Sequence, residues 1–101
     1  MAKYMLYRTK SKDDNIEELE SLRTEFEELY KKYNVNIVGF WENADDPQEV
    51  YYISKYKDEA DYKSKTEQLR SDERYIELTK KLDELRLESQ VIRLNPMWIP
   101  E

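Results

Sequence analysis

The chain has 101 residues, of which 40% are charged and 39% hydrophobic, and a net charge of −6. That length suits one domain, spanning residues 1–101, with a thin core, and the acidic balance argues against a nucleic-acid or anionic-membrane surface. Cysteine and histidine are both absent, which removes disulfides, thiol chemistry, most nucleophilic triads, the usual neutral-pH base and the commonest metal ligand.

The opening MAKYMLYRTK has no long apolar run, so a secretory signal is not expected. No later segment has the roughly 18–20 apolar residues of a membrane span. A cytoplasmic protein is the resulting expectation. Residues 3–9 (KYMLYRT), rich in aromatic and large apolar side chains, predict a first strand. SKDDN then breaks it, and Asp13, Asp14 or Asn15 is positioned to cap a helix. From Ile16 the apolar residues fall at Leu19, Leu22, Phe26, Leu29, Tyr30 and Tyr33, a helical stripe. Glutamates crowd its first half and Lys31 and Lys32 its last turn, matching the helix dipole. Asn34 can end it.

Residues 36–43 predict a second strand and 49–56 a third, joined by the turn ENADDP. Asp58 caps a helix running to about Arg70, with Ala60, Tyr62, Thr66 and Leu69 inward. Ser71-Asp72 interrupts it. A further helix starts near Glu73, with Tyr75, Ile76, Thr79, Leu82 and Leu85 as its stripe. Residues 89–94 predict a fourth strand, and the proline-containing tail NPMWIPE is irregular. The order is the split βαββαβ of a ferredoxin-like α+β fold. It implies a four-stranded antiparallel sheet with helices on one face.

Period-two reading sorts the strands. It groups Ile37, Gly39 and Trp41 against Val38 and Phe40. It also groups Val50, Tyr52, Ser54 and Tyr56 against Tyr51 and Ile53, and Val91 and Arg93 against Ile92 and Leu94. One face meets the helices. The other would leave Ile37, Trp41, Val50, Tyr52, Tyr56 and Val91 bare, a patch large enough to need a cover. A second copy, stacked sheet to sheet, is the simplest one. Gly39, the only glycine, would either leave room between the sheets or mark a local bulge.

IVGFW, a short acidic turn, VYYISKY-KD, LRSDERY and the closing ES-x-VIRLNPMW together resemble the NIPSNAP family, of the dimeric α/β-barrel superfamily, over nearly the whole chain. The resemblance implies a ferredoxin-like protomer pairing through its sheets into a homodimeric barrel, with no assigned biochemical function for many members. Related branches of the superfamily include cofactor-independent monooxygenases and haem-degrading enzymes that use the cleft between sheet and helices. The chain departs from the family pattern in two places. Tyr52 and Ser54 stand where the third strand often has His and then Trp, and Leu6-Tyr7-Arg8 replaces Glu-Leu-Arg. The resemblance therefore carries no catalytic assignment to those positions.

The paired carboxylates (Glu17 with Glu18, Glu27 with Glu28, Asp45 with Asp46) read as solvated surface. They lack the ligand spacing of a metal loop, and one glycine cannot build a phosphate loop. Candidate ligand-binding residues are Arg8, Trp41, Tyr52, Tyr56 and Arg93: an apolar wall with polar handles and two cations for an anionic group. Candidate dimer contacts are Ile37, Gly39, Trp41, Val91 and Trp98, the last as an anchor from the tail. No catalytic residue, cofactor or metal is expected. The expected function is a structural or small-ligand-binding homodimer. A cofactor-independent monooxygenase or isomerase acting in the cleft is the alternative.

Overall fold

The computed structural model describes residues 2–12 and 16–100, with the side chain of residue 16 excepted. Strands β1 (Lys3–Ser11), β2 (Asn36–Asn43), β3 (Asp46–Tyr56) and β4 (Arg86–Leu94) alternate with helices α1 (Ile16–Lys32), α2 (Glu59–Arg70) and α3 (Glu73–Leu85). The strands form one antiparallel sheet in the order β2-β3-β1-β4. The fold is ferredoxin-like α+β, as the element order requires.

Local chemistry accounts for most of the boundaries. Glu17 and Glu18 open α1, and Lys31 and Lys32 close it, each favourable against the helix dipole. Asn34 adopts φ 58°, the left-handed conformation that stops a helix, and the Val35 amide then donates to the Tyr30 carbonyl at 2.8 Å. Asp58 caps α2 by accepting from the Asp61 amide, and Asp72 caps α3 by accepting from the Arg74 and Tyr75 amides. The caps expected from Asp13, Asp14 or Asn15 lie outside the described residues.

Three boundaries differ from the sequence reading. β3 begins at Asp46, because Asn43 already pairs with Asp46 across a two-residue turn. Pro47 is accommodated by a register shift between Glu42 and Asn43. β1 extends to Ser11, and β4 starts at Arg86, directly after α3; these ends pair through another register shift. Pairing with a neighbouring strand lengthened all three, and local propensity does not encode that.

The core lies between the sheet and the helices. Leu22, Phe26, Leu29 and Tyr30 of α1, Leu69 of α2 and Leu78 of α3 are buried against Met5 and Tyr56 of the sheet, with Val35 beside them. Each such side chain contributes about 1.5–3 kcal/mol of transfer free energy. Two expected inward residues, Ala60 and Ile76, are exposed, while Leu78 is buried in their stead.

The sheet faces sort differently from the period-two reading. Ile37 pairs with Ser54, but Gly39, not Val38, pairs with Ile53. Val38 is an unpaired extra residue, 51% exposed, and it shifts the alternation by one. Ile37, Phe40, Val50, Tyr52, Ser54, Tyr56 and Val91 therefore share the helix side with Met5, Tyr7 and Thr9. The side without helices carries Tyr4, Leu6 and Arg8, Gly39 and Trp41, Tyr51 and Ile53, and Ile92 and Leu94. Of the set expected on the bare face, only Gly39 and Trp41 are there. Tyr52 and Tyr56 are roofed by the chain's own helices.

Candidate functional site

One row of paired residues crosses the sheet beneath the helices: Phe40, Tyr52, Tyr7 and Val91. The Phe40 and Tyr52 rings stack at 5.1 Å, and the Tyr52 and Tyr7 rings at 4.4 Å and 10°. This row of mutually stacked rings lines a cavity of about 450 Å³. Leu19, Leu22, Phe26 and Tyr30 of α1 and Tyr75, Thr79 and Leu82 of α3 complete its wall. The volume falls in the range of small-molecule sites, and the lining is that of one: largely apolar, with a few polar groups. Arg23 stacks over the Phe40 ring at 5.3 Å.

A second, smaller cavity of about 160 Å³ adjoins it. Tyr7, Tyr30, Tyr52, Tyr75 and Val91 line both. The next row of the sheet (Ile37, Ser54, Met5) passes beneath this chamber, and Tyr56, Tyr62 and Thr66 add hydroxyls around it. Ser54 is only 1% exposed, and its Oγ has no hydrogen-bond partner.

The tyrosines are held as neutral donors. Burial, reinforced by neighbouring tyrosines, pushes the Tyr7 and Tyr52 hydroxyls well above their ordinary pKa. Burial raises Tyr30 too, although its contact with Tyr52 works the other way. The two oxygens, Tyr30 Oη and Tyr52 Oη, are 3.3 Å apart. Tyr56 and Tyr75 are raised chiefly by burial as well. A phenol in this state can donate a hydrogen bond, but at neutral pH it cannot serve as a base.

The structure distributes the sequence-derived candidates over several places. Tyr52 lies at the centre of the aromatic row, and Tyr56 lines the smaller chamber. Arg8 and Trp41 contribute to the edge of the larger cavity. However, the Arg8 guanidinium is held on the opposite sheet face by Glu49 and Glu88, so its charge is already compensated. Arg93 is likewise engaged: it donates to Glu59 Oε2 at 2.6 Å and lies over the Tyr62 ring at 5.6 Å. Ile37 packs against the core, and Val91 sits half-exposed along the outer strand. Gly39 lies beneath the Trp41 ring, and Trp98 is 81% exposed in the tail.

Tyr7, Tyr30, Tyr62 and Tyr75 were absent from the candidates. Their signal was nevertheless present, since nine tyrosines in 101 residues, several of them on predicted core stripes, already placed many hydroxyls inside.

The chain has many structural relatives. A NIPSNAP family protein from Agrobacterium tumefaciens shares 18% identity, with 96% of this chain and 94% of that one covered at a TM-score of 0.85. An uncharacterized NIPSNAP domain protein from Burkholderia xenovorans shares 16%, with 100% of both chains covered at 0.84. SnoaB, a cofactor-independent oxygenase from Streptomyces nogalater, shares 13%, with 99% of this chain and 98% of that one covered at 0.81. No curated protein is similar to the chain in sequence. At these identities the structural likenesses establish the fold. The family model matches residues 4–97, nearly the whole length, and the chain belongs to the NIPSNAP family.

Proposed function

We propose that this protein binds a small, largely apolar molecule in the cavity between sheet and helices, without catalysing its conversion. The observation that carries the reading is the cavity of about 450 Å³ lined by a row of stacked aromatic rings. A concave, largely apolar cleft of this size with a few polar groups on its wall is the usual form of a small-molecule site. Its tyrosines are donors, and no histidine exists to act beside them. The test is calorimetric titration with planar hydrocarbons such as naphthalene, on wild type and on Thr79→Trp, which fills the cavity. Binding by wild type alone supports the site. Failure of wild type to bind any such compound refutes it.

A cofactor-independent oxygenase or isomerase in the same cavity is the second reading, favoured by the shared fold with SnoaB. It needs a group that accepts a proton, and the raised tyrosines count against it.

The protein is further proposed to act as a cytoplasmic homodimer, paired through the helix-free sheet face. Trp41 is 48% exposed there and Ile92 37%, next to Tyr4, Leu6, Tyr51 and Ile53. Met97 and Trp98 leave a further apolar segment exposed at the tail. Among the described residues no helix is long and apolar enough to cross a membrane.

A further inference from the structure

Inside the larger cavity the sheet changes character in one step. The aromatic row is Phe40, Tyr52, Tyr7 and Val91; the next row on the same face is Glu42, Val50, Thr9 and Ser89. Two residues of strand rise, about 7 Å, separate the rows, and all eight residues line the cavity. Thr9 is only 8% exposed, and its hydroxyl has no hydrogen-bond partner among the described residues. A molecule lying over both rows therefore needs an aromatic body and a polar end.

Helix α1 brings a second carboxylate to that polar end. β1 and β2 both pair antiparallel with β3, so they run parallel to each other, and α1, which connects them, runs back the other way. Arg23 of α1 stands over the Phe40 ring. Glu20 is one turn earlier on the same helix face, and Glu42 is two residues past Phe40 on the same strand face. Both steps lead in the same direction, and both side chains line the cavity. Their carboxylates are exposed and have no ion-pair or hydrogen-bond partner among the described residues. The three arginines of the wall are each matched by carboxylates outside it: Arg23 by Glu27 at 3.3 Å, Arg86 by Asp83, and Arg8 by Glu49 and Glu88.

We infer that the ligand is an aromatic amine in its ammonium form, with its ring system on the stacked row and its ammonium between Glu20 and Glu42. This rests on the ligand-binding reading given above. Chemistry selects the class. The hydroxyls of Thr9 and Ser89 donate or accept and so do not discriminate, whereas an ionised carboxylate only accepts and attracts a positive charge. An anionic ligand would have to displace the carboxylates already on the arginines while facing two more. The faces of the aromatic row favour a cation too, as the position of Arg23 over Phe40 illustrates.

The experiment uses three probes of one shape, naphthalene, naphthylmethylamine and naphthoate, titrated calorimetrically at neutral pH and low salt. The variants are Glu20→Gln/Glu42→Gln and, as a control for net charge, Glu67→Gln on α2, a helix that contributes nothing to this cavity. The amine should bind wild type about tenfold more tightly than naphthalene, the sum of two modest exposed ion pairs, and added salt should shrink that margin. The double variant should lose the preference while still binding naphthalene, which also shows that it is folded. Glu67→Gln should keep the preference. Equal binding of amine and naphthalene by wild type, an unchanged preference in the double variant, or an equal loss in Glu67→Gln overturns the ammonium site but leaves the cavity reading standing. Naphthoate as the tightest ligand overturns the charge assignment. No binding of any of the three overturns both the ammonium site and the proposed function.

Discussion

The Trp41 indole lies over Gly39: a Cβ on Gly39 would stand 3.1 Å from both Cη2 and Cζ2 of that ring. The two residues are two apart on one strand and so project from the same face. Gly39 has no positive φ, so its backbone does not call for glycine. The neighbouring side chain does. Gly39→Val should therefore displace the indole, at a cost of about 1–3 kcal/mol as in other small-to-large changes at a packed contact. In a Trp98→Phe background, tryptophan quenching by acrylamide should rise and the melting temperature fall. Adding Trp41→Ala should remove most of the penalty. An equal penalty with and without the indole would disprove this explanation.

Asp72 joins α1 to α3. Its Oδ2 accepts from Tyr33 Oη at 2.5 Å and from Lys32 Nζ at 3.4 Å, while its Oδ1 caps α3. These contacts, the Tyr33 hydroxyl first, hold its pKa down at about 2. A depressed carboxylate stabilises the fold at pH above its unfolded pKa of roughly 3.9. That contribution is lost as pH falls from there through about 2. Tyr33→Phe should raise the Asp72 pKa in a carbon-detected NMR titration and move the acid unfolding transition to higher pH. An unmoved Asp72 titration would show that the tyrosine is not its main partner.

Buried tyrosines make the opposite prediction at high pH. Tyr7, Tyr30 and Tyr52 have folded pKa values raised above the unfolded value. They contribute stability fully below about pH 10 and lose it as pH rises further. Tyrosinate absorbance should therefore show the Tyr7, Tyr30 and Tyr52 phenolates appearing only together with unfolding. Titration of all nine at the ordinary pKa in the folded protein would contradict the burial of these hydroxyls.

The Tyr30–Tyr52 hydroxyl pair should behave non-additively. Removing one hydroxyl strands the other, at about 1 kcal/mol or somewhat more, whereas removing both can be nearly neutral. Tyr30→Phe, Tyr52→Phe and the double variant, compared by denaturant unfolding, should give a double-variant cost well below the sum of the singles. Simple additivity would mean that each hydroxyl is satisfied elsewhere.

If the helix-free face is the dimer surface, Trp41→Glu should convert the proposed dimer to monomer, since an unpaired charge there would be buried in the interface. Light scattering coupled to size exclusion measures this directly. A wild type that is monomeric at micromolar concentration, or a variant with unchanged mass, would count against sheet-to-sheet pairing.

Much of this molecule was legible one residue at a time. The stripe from Leu22 to Tyr30, the cap at Asp58, the break at Ser71-Asp72, the stop at Asn34 and the limits of β2 all follow from local periodicity and hydrogen-bonding chemistry, which act within a few residues. The βαββαβ order and its fold follow from those elements. The faces of the sheet could not be read in this way. One unpaired residue, Val38, offsets the alternation in β2, and the same bulge determines which face Gly39 and Trp41 share.

The candidate site divides along the same line. The sequence alone established that aromatic side chains dominate the sheet and that histidine and cysteine chemistry is missing. Only the tertiary structure decided that the tyrosines lie under the helices and Trp41 on the far side, that Arg8 and Arg93 are compensated by carboxylates from distant elements, and that Ser54 is buried. Those outcomes depend on strand register and helix packing. Both are contacts between residues far apart in the chain, and no periodicity within a single segment records them.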